Sequence, residues 1–189
     1  MDIKKLLILY LLLQNSVIAQ NKVLPDKTPM NFGSILQKLI ADSPKDFENV
    51  MGEVKSFSEN NEFKNYSTKI SIPLADSCYI YDEITDDFDS YKVYEAAYGY
   101  YKTKKEGLKA IETLSKYIAS DSRLMKMLDK EPLDDSEDGV VQMFYGKAEL
   151  SSATMIIIYL KSVDAINPLT HNPVEYWSLT FTISEDFSD

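Results

Sequence analysis

The stretch Tyr91-Lys92-Val93-Tyr94-Glu95-Ala96-Ala97-Tyr98-Gly99-Tyr100-Tyr101, running on into Lys102-Thr103-Lys104-Lys105-Glu106-Gly107-Leu108, decides how this chain reads. Its first half is dense in tyrosine and β-formers and carries rings on both alternating faces, which predicts a strand. Such a strand is either covered on both sides or displays one ring-bearing face. In the second half Thr103 and Glu106 form a capping box, each side chain satisfying an orphan backbone N–H of a first helical turn. Leu108, Ile111, Leu114 and Ile118 then fall at helical spacing. A strand that passes at once into a capped helix points to a mixed α and β architecture.

Working outward toward the C-terminus, Leu124, Met125 and Leu128 predict a further helical turn, ending near Lys130. Residues 131–139, with Pro132, Gly139 and several acids, read as a solvated loop. Three strands follow: 140–150, then 153–163 across a Ser151-Ser152 turn, then 174–184 after a Pro-flanked loop at 167–173. Residues 185–189 read as a frayed tail. Toward the N-terminus, the acidic segment 82–90 reads as a loop. Tyr79-Ile80-Tyr81 predicts one strand, and the alternation of Ile70 and Ile72 after Tyr66 predicts another that ends at Pro73. Ser43 with Pro44 offers a cap and first position for a helix over 44–58 through Phe47, Val50, Met51 and Val54. Phe32, Ile35, Leu36, Leu39 and Ile40 predict an earlier one.

The expected order is α-α-β-β-β-α-(α)-β-β-β. It implies an α+β fold: a two-layer sandwich, a mostly antiparallel sheet with helices packed on one face, in a single domain over 30–184. The order also divides into tandem α-β-β-β halves. Residues 20–29, with Pro25 and Pro29 and no periodicity, form an extended lead-in.

Residues 1–19 read as a secretory signal peptide: Lys4 and Lys5, an eight-residue apolar run at 6–13, and Val17-Ile18-Ala19 before Gln20. The expectation is cleavage after Ala19 and a periplasmic or extracellular destination. The full chain has 189 residues and a net charge of −10. Without the leader it keeps 29 acids and 18 bases. That balance repels phosphate backbones and anionic membranes, so nucleic acid is not an expected partner and a neutral, cationic or apolar partner is. No later apolar run is long enough to span a bilayer. With six Gly, seven Pro and 44% apolar residues, the chain is neither fibrous nor low-complexity. Abundant lysine against a single arginine, Arg123, and a leader ending in Ala-Gln resemble the exported proteins of low-GC bacteria.

Catalytic signatures are sparse. The lone histidine, His171, lies in the Pro-flanked loop, and the lone cysteine, Cys78, lies in an apolar strand where it reads as a small hydrophobe. One His and one Cys cannot assemble a usual zinc site, and no nucleophile elbow is present, so no catalytic residue, metal ligand or cofactor is assigned. The acidic clusters at 82–89 and 134–138 suggest solvated loops, or weak calcium sites. An EF-hand is excluded because Tyr145 stands where a bidentate Glu is required. Lys102, Lys104 and Lys105 crowd a helix N-terminus against the macrodipole, which makes them a candidate anion site. The strand rings Tyr94, Tyr98 and Tyr100, with Trp177, form the candidate partner-binding surface, since tyrosine joins apolar area to a polar tip. Residues 93–118, a strand through Tyr98-Gly99-Tyr100-Tyr101 into a capped helix, resemble the central passage of the peptidoglycan-binding sporulation-related repeat domains. The resemblance covers some 25 residues, the rest of that pattern is absent, and the family is not assigned.

The reading is therefore an exported, non-catalytic binding protein with a tyrosine-rich sheet surface, its partner an unknown protein or a neutral or apolar ligand. A small extracytoplasmic hydrolase or lipid-processing enzyme and a calcium-stabilised envelope component stand as the alternatives.

Overall fold

The computed structural model describes residues 22–57, 64–84, 90–136, 139–147, 154–166 and 172–185. The elements are α1 (Phe32–Asp42), a 3₁₀ turn (Ser43–Lys45), β1 (Met51–Phe57), β2 (Lys64–Thr68), β3 (Ser77–Ile84) and β4 (Ser90–Tyr101). They continue with α2 (Lys104–Ser120), α3 (Leu124–Met127), β5 (Leu128–Lys130), β6 (Asp134–Asp135), β7 (Val140–Gly146), β8 (Thr154–Ile166) and β9 (Pro173–Glu185). Among the described residues nine strands form one sheet in the order β1-β2-β3-β4-β9-β8-β7-β5, with β6 also on β7, and every pair is antiparallel. The chain is thus an α+β fold, as the mixture of periods implied.

The helices lie on one face. Along β8 the even positions Thr154, Ile156, Ile158 and Leu160 are buried while the odd ones are half-exposed. On β9 Leu179, Phe181 and Ile183 match them, and on β7 Val140, Gln142 and Phe144 do. α2 packs onto this face across β4, β7, β8 and β9, so closely that Gly107 rests against the Leu160 side chain. The expected capping box is present: the Glu106 N–H donates to Thr103 Oγ1 and the Thr103 N–H to Glu106 Oε2, both at 3.2 Å. α1 joins α2 through the Phe32 and Tyr117 rings, 5.3 Å apart and edge-on.

The expected second helix over 44–58 is not formed. After one 3₁₀ turn Asp46 and Phe47 take positive φ (51° and 57°), which ends any helix. The Asp42 carboxylate then gathers the backbone N–H groups of Asn49 (3.0 Å) and Val50 (3.1 Å). Phe47 and Val50 are buried, as helical spacing suggested, but from a turn, and the chain from Met51 pairs with β2. Tertiary pairing overrides a spacing that fits too few turns to stand alone.

The strand expected over the Ile70 and Ile72 alternation ends at Thr68. The segment after it is held by side chains in place of a neighbouring strand. Tyr94 Oη donates to Ile70 O (3.0 Å) and accepts from the Ile72 N–H (3.2 Å), and Tyr98 Oη donates to Pro73 O (3.2 Å). Within the expected loop at 131–139, Asp134 and Asp135 pair with Val141 and Val140. The lead-in is extended but anchored: Leu24 is buried, Tyr117 Oη donates to Pro25 O, and Lys22 pairs with Asp76.

Candidate functional site

Strand β4 sets the site because it changes phase midway. Up to Tyr98 its even residues face the helices, and Tyr94, Ala96 and Tyr98 are fully buried. The register against β9 shifts between Ala97 and Tyr100, and Gly99 within the shift has φ 83°. An L side chain there would be strained, and its Cβ would meet Asp76 Oδ2 at 2.5 Å. Past this bulge Tyr101, 1% exposed, faces the helices, while Tyr100, 37% exposed, faces away.

The four ring residues expected to form one surface are therefore divided. Tyr94 and Tyr98 are core, their hydroxyls spent on backbone groups, and they cannot touch a partner. Trp177 pairs with Tyr101 on the covered side and lies half-buried, with Lys104 Nζ 5.4 Å from its ring centroid. Of the four, only Tyr100 reaches the face away from the helices.

That face has its own residues, missed at the level of sequence. One register row runs Tyr79, Glu95, Thr182, Ile157, Met143 across five strands. A second runs Ala97, Thr180, Tyr159, Val141. Tyr81 stands beside Tyr79 with ring centroids 5.9 Å apart, and Tyr79 Oη donates to Glu95 Oε1. Burial, then the Glu95 hydrogen bond and charge, hold the Tyr79 hydroxyl well above its usual pKa. Burial and the Glu95 and Glu83 charges do the same for Tyr81, and burial and the Glu83 charge raise Tyr91. These phenols stay neutral, so the face presents half-buried rings with hydroxyl tips flanked by carboxylates. The sequence signal was the Tyr79-Ile80-Tyr81 alternation, which puts two rings on one side of β3 and buries Ile80 on the other. Gly99 was the second signal, an isolated glycine within a strand marking a bulge.

The lysines also divide. Lys104 Nζ lies 2.5 Å from Asp135 Oδ1, so its charge is already matched. Lys102 and Lys105 are exposed. The anion at the start of α2 is the chain's own Glu106 carboxylate, bound to the Thr103 N–H. In the acidic segments Asp82 pairs with Lys92 at 2.8 Å and Asp135 with Lys104, while residues 85–89, 137 and 138 lie outside the described residues. Cys78 is a free thiol, half-buried against the core. His171, the expected signal peptide and the tail beyond Glu185 lie outside the described residues. Among the described residues no three His, Cys, Asp or Glu side chains are grouped to hold a metal ion, and no helix is long and apolar enough to cross a membrane.

Comparison with known proteins found no matching family model, no matching curated protein and no matching solved structure.

Proposed function

We propose that this chain is an exported, non-catalytic binding protein that meets a neutral or basic partner surface with the helix-free face of its sheet. The observation that carries the reading is the Tyr79, Tyr81 and Glu95 cluster, continued across the sheet by Thr182, Ile157 and Met143, over which no helix among the described residues lies. Neutral rings held rigid by their neighbours bury area at small entropic cost, and their hydroxyls and the flanking carboxylates favour donors or cations opposite. The test is site-specific photo-crosslinking in an envelope extract, with the probe at Tyr81 or Tyr145 on this face or at Lys105 or Lys116 on α2. Adducts confined to the sheet probes support the reading. Adducts equally strong from α2, or from α2 alone, overturn it.

Export is supported by the charged, apolar and small-residue order of residues 1–19. N-terminal sequencing of the native protein should begin at Gln20, and a retained Met1 removes this part of the reading.

The tandem reading is supported by a recurring segment. Leu36-Gln37-Lys38-Leu39-Ile40-Ala41 ends α1 as Leu114-Ser115-Lys116-Tyr117-Ile118-Ala119 approaches the end of α2. Leu36, Leu39 and Ile40 are buried like Leu114, Tyr117 and Ile118, and an aspartate at each helix end accepts a later backbone N–H, Asp42 as the last residue of α1 and Asp121 as the first after α2. Each helix leads into an antiparallel meander whose last long strand, β4 or β9, lies at the sheet centre. The unit in this reading is one helix with four principal strands, not three.

A further inference from the structure

Among the described residues four tyrosines are essentially fully buried. The hydroxyls of Tyr94, Tyr98 and Tyr117 each reach a backbone group, but that of Tyr101 has no hydrogen-bond partner among the described residues. A buried hydroxyl left so costs free energy unless something supplies an acceptor.

Tyr101 lines a cavity of about 180 Å³ between the end of β4, the first turns of α2 and the lead-in. Val23, Leu24, Ala110 and Thr113 make most of its wall apolar, since the Thr113 hydroxyl is turned back to Lys109 O at 2.8 Å. The volume is close to the roughly 150 Å³ in which a dry apolar cavity accepts one benzene molecule. Three charged residues complete the lining. Lys22 is engaged with Asp76 and Leu74 O, and Glu106 with the Thr103 N–H. Lys109 has no ion-pair partner among the described residues. An apolar hollow for a ring or short chain, one unused hydroxyl donor and one unmatched cation define a ligand with a compact apolar body and a single anionic acceptor.

We propose that this cavity binds a small monocarboxylate whose carboxylate accepts the Tyr101 hydrogen and sits in the field of Lys109, with Val23 and Leu24 of the lead-in as one wall. The site is separate from the helix-free face, on the opposite side of the sheet.

The experiment is isothermal titration of the purified chain with benzoate and with hexanoate. Benzyl alcohol serves as the neutral counterpart of the same body, and acetate as the anion without a body. Benzoate or hexanoate should bind at millimolar concentration or better, with benzyl alcohol at least about tenfold weaker and acetate silent. Tyr101→Phe should weaken the carboxylate about tenfold or more while thermal stability stays the same or rises, which a structural hydroxyl would not allow. Lys109→Gln should weaken benzoate but not benzyl alcohol. Ala110→Leu, which fills the hollow, should abolish binding; if circular dichroism shows this variant unfolded, Tyr101→Phe and Lys109→Gln decide. No heat with either carboxylate at about 10 mM overturns the proposal. So does benzyl alcohol binding as tightly as benzoate, or Tyr101→Phe leaving affinity unchanged. Tyr81→Ser should leave all of these titrations intact, so that failure here and failure of the sheet-face reading are told apart.

Discussion

Removing the Tyr94 hydroxyl tests whether the buried tyrosines stand in for a missing strand partner. In Tyr94→Phe the ring and its packing against Phe47, centroids 6.1 Å apart, are kept, while two hydrogen bonds are lost, one donated to Ile70 O and one accepted from the Ile72 N–H. Ile72 is 2% exposed, so its N–H is left without water or protein to bond. A net hydrogen bond is worth about 1 kcal/mol and an orphaned buried donor costs about 1 to 3 kcal/mol, so the expected loss is about 2 to 4 kcal/mol. Tyr98→Phe loses a single bond, to Pro73 O, and should cost about 1 kcal/mol. Tyr101→Phe loses none and should cost nothing. Urea unfolding followed by circular dichroism gives the ranking. With an m-value of about 2 kcal/mol per molar, the Tyr94→Phe midpoint should fall by about 1 to 2 M at unchanged m. If Tyr94→Phe costs no more than Tyr98→Phe, or Tyr101→Phe costs as much as either, the hydroxyls do not hold the 70–73 segment and the account fails.

Alkaline stability follows from the same residues. Burial raises Tyr94, Tyr98 and Tyr101 above the ordinary value of 10.0, so above that pH the unfolded chain releases protons that the folded chain keeps, and stability falls as pH rises. At about 1.4 kcal/mol per pH unit each, the three remove about 4 kcal/mol per unit, enough to unfold a domain of ordinary stability between about pH 11 and 13. Absorbance at 295 nm should show these phenols ionising only together with the loss of helical ellipticity, and a smooth titration of all tyrosines near pH 10 with the fold intact contradicts this. Gly107→Ala should not stabilise α2 despite alanine's better propensity, because its Cβ would lie 2.4 Å from Leu160 Cδ1; thermal melts should show a change between about 0 and 2 kcal/mol unfavourable. Thr103→Ala removes one half of the capping box and should cost about 0.5 to 2 kcal/mol, read by the same melts, whereas Thr103→Ser should restore most of it.

The helix after Thr103 and the strands ending the chain were legible because their signals are local and repeat. A capping box completes itself within four residues, and β8 alternates buried and half-exposed over its whole pairing with β7. Phe47, Val50 and Val54 carried a helical spacing just as regular, yet it spans barely two turns, too little to hold against the Asp42 turn and the β2 ladder. The candidate surface was half legible. Tyrosine-rich strands were expected to offer one ring-bearing face, and they do, but by different rings. Period two assigns Tyr94, Tyr98 and Tyr100 to one side only while the register is unbroken, and the bulge at Gly99 breaks it.

That both helical and extended segments occur, where the strongest of each begin, and that rings concentrate in the strands can all be read from the residues in order, because propensity, capping and alternation act between near neighbours. Which face of the sheet each ring occupies, which acids meet lysines, and that Tyr101 comes to line a hollow with an unused hydroxyl emerge only once the chain is folded. Those outcomes depend on strand register and on helix placement, and both are set by contacts between residues far apart in the chain.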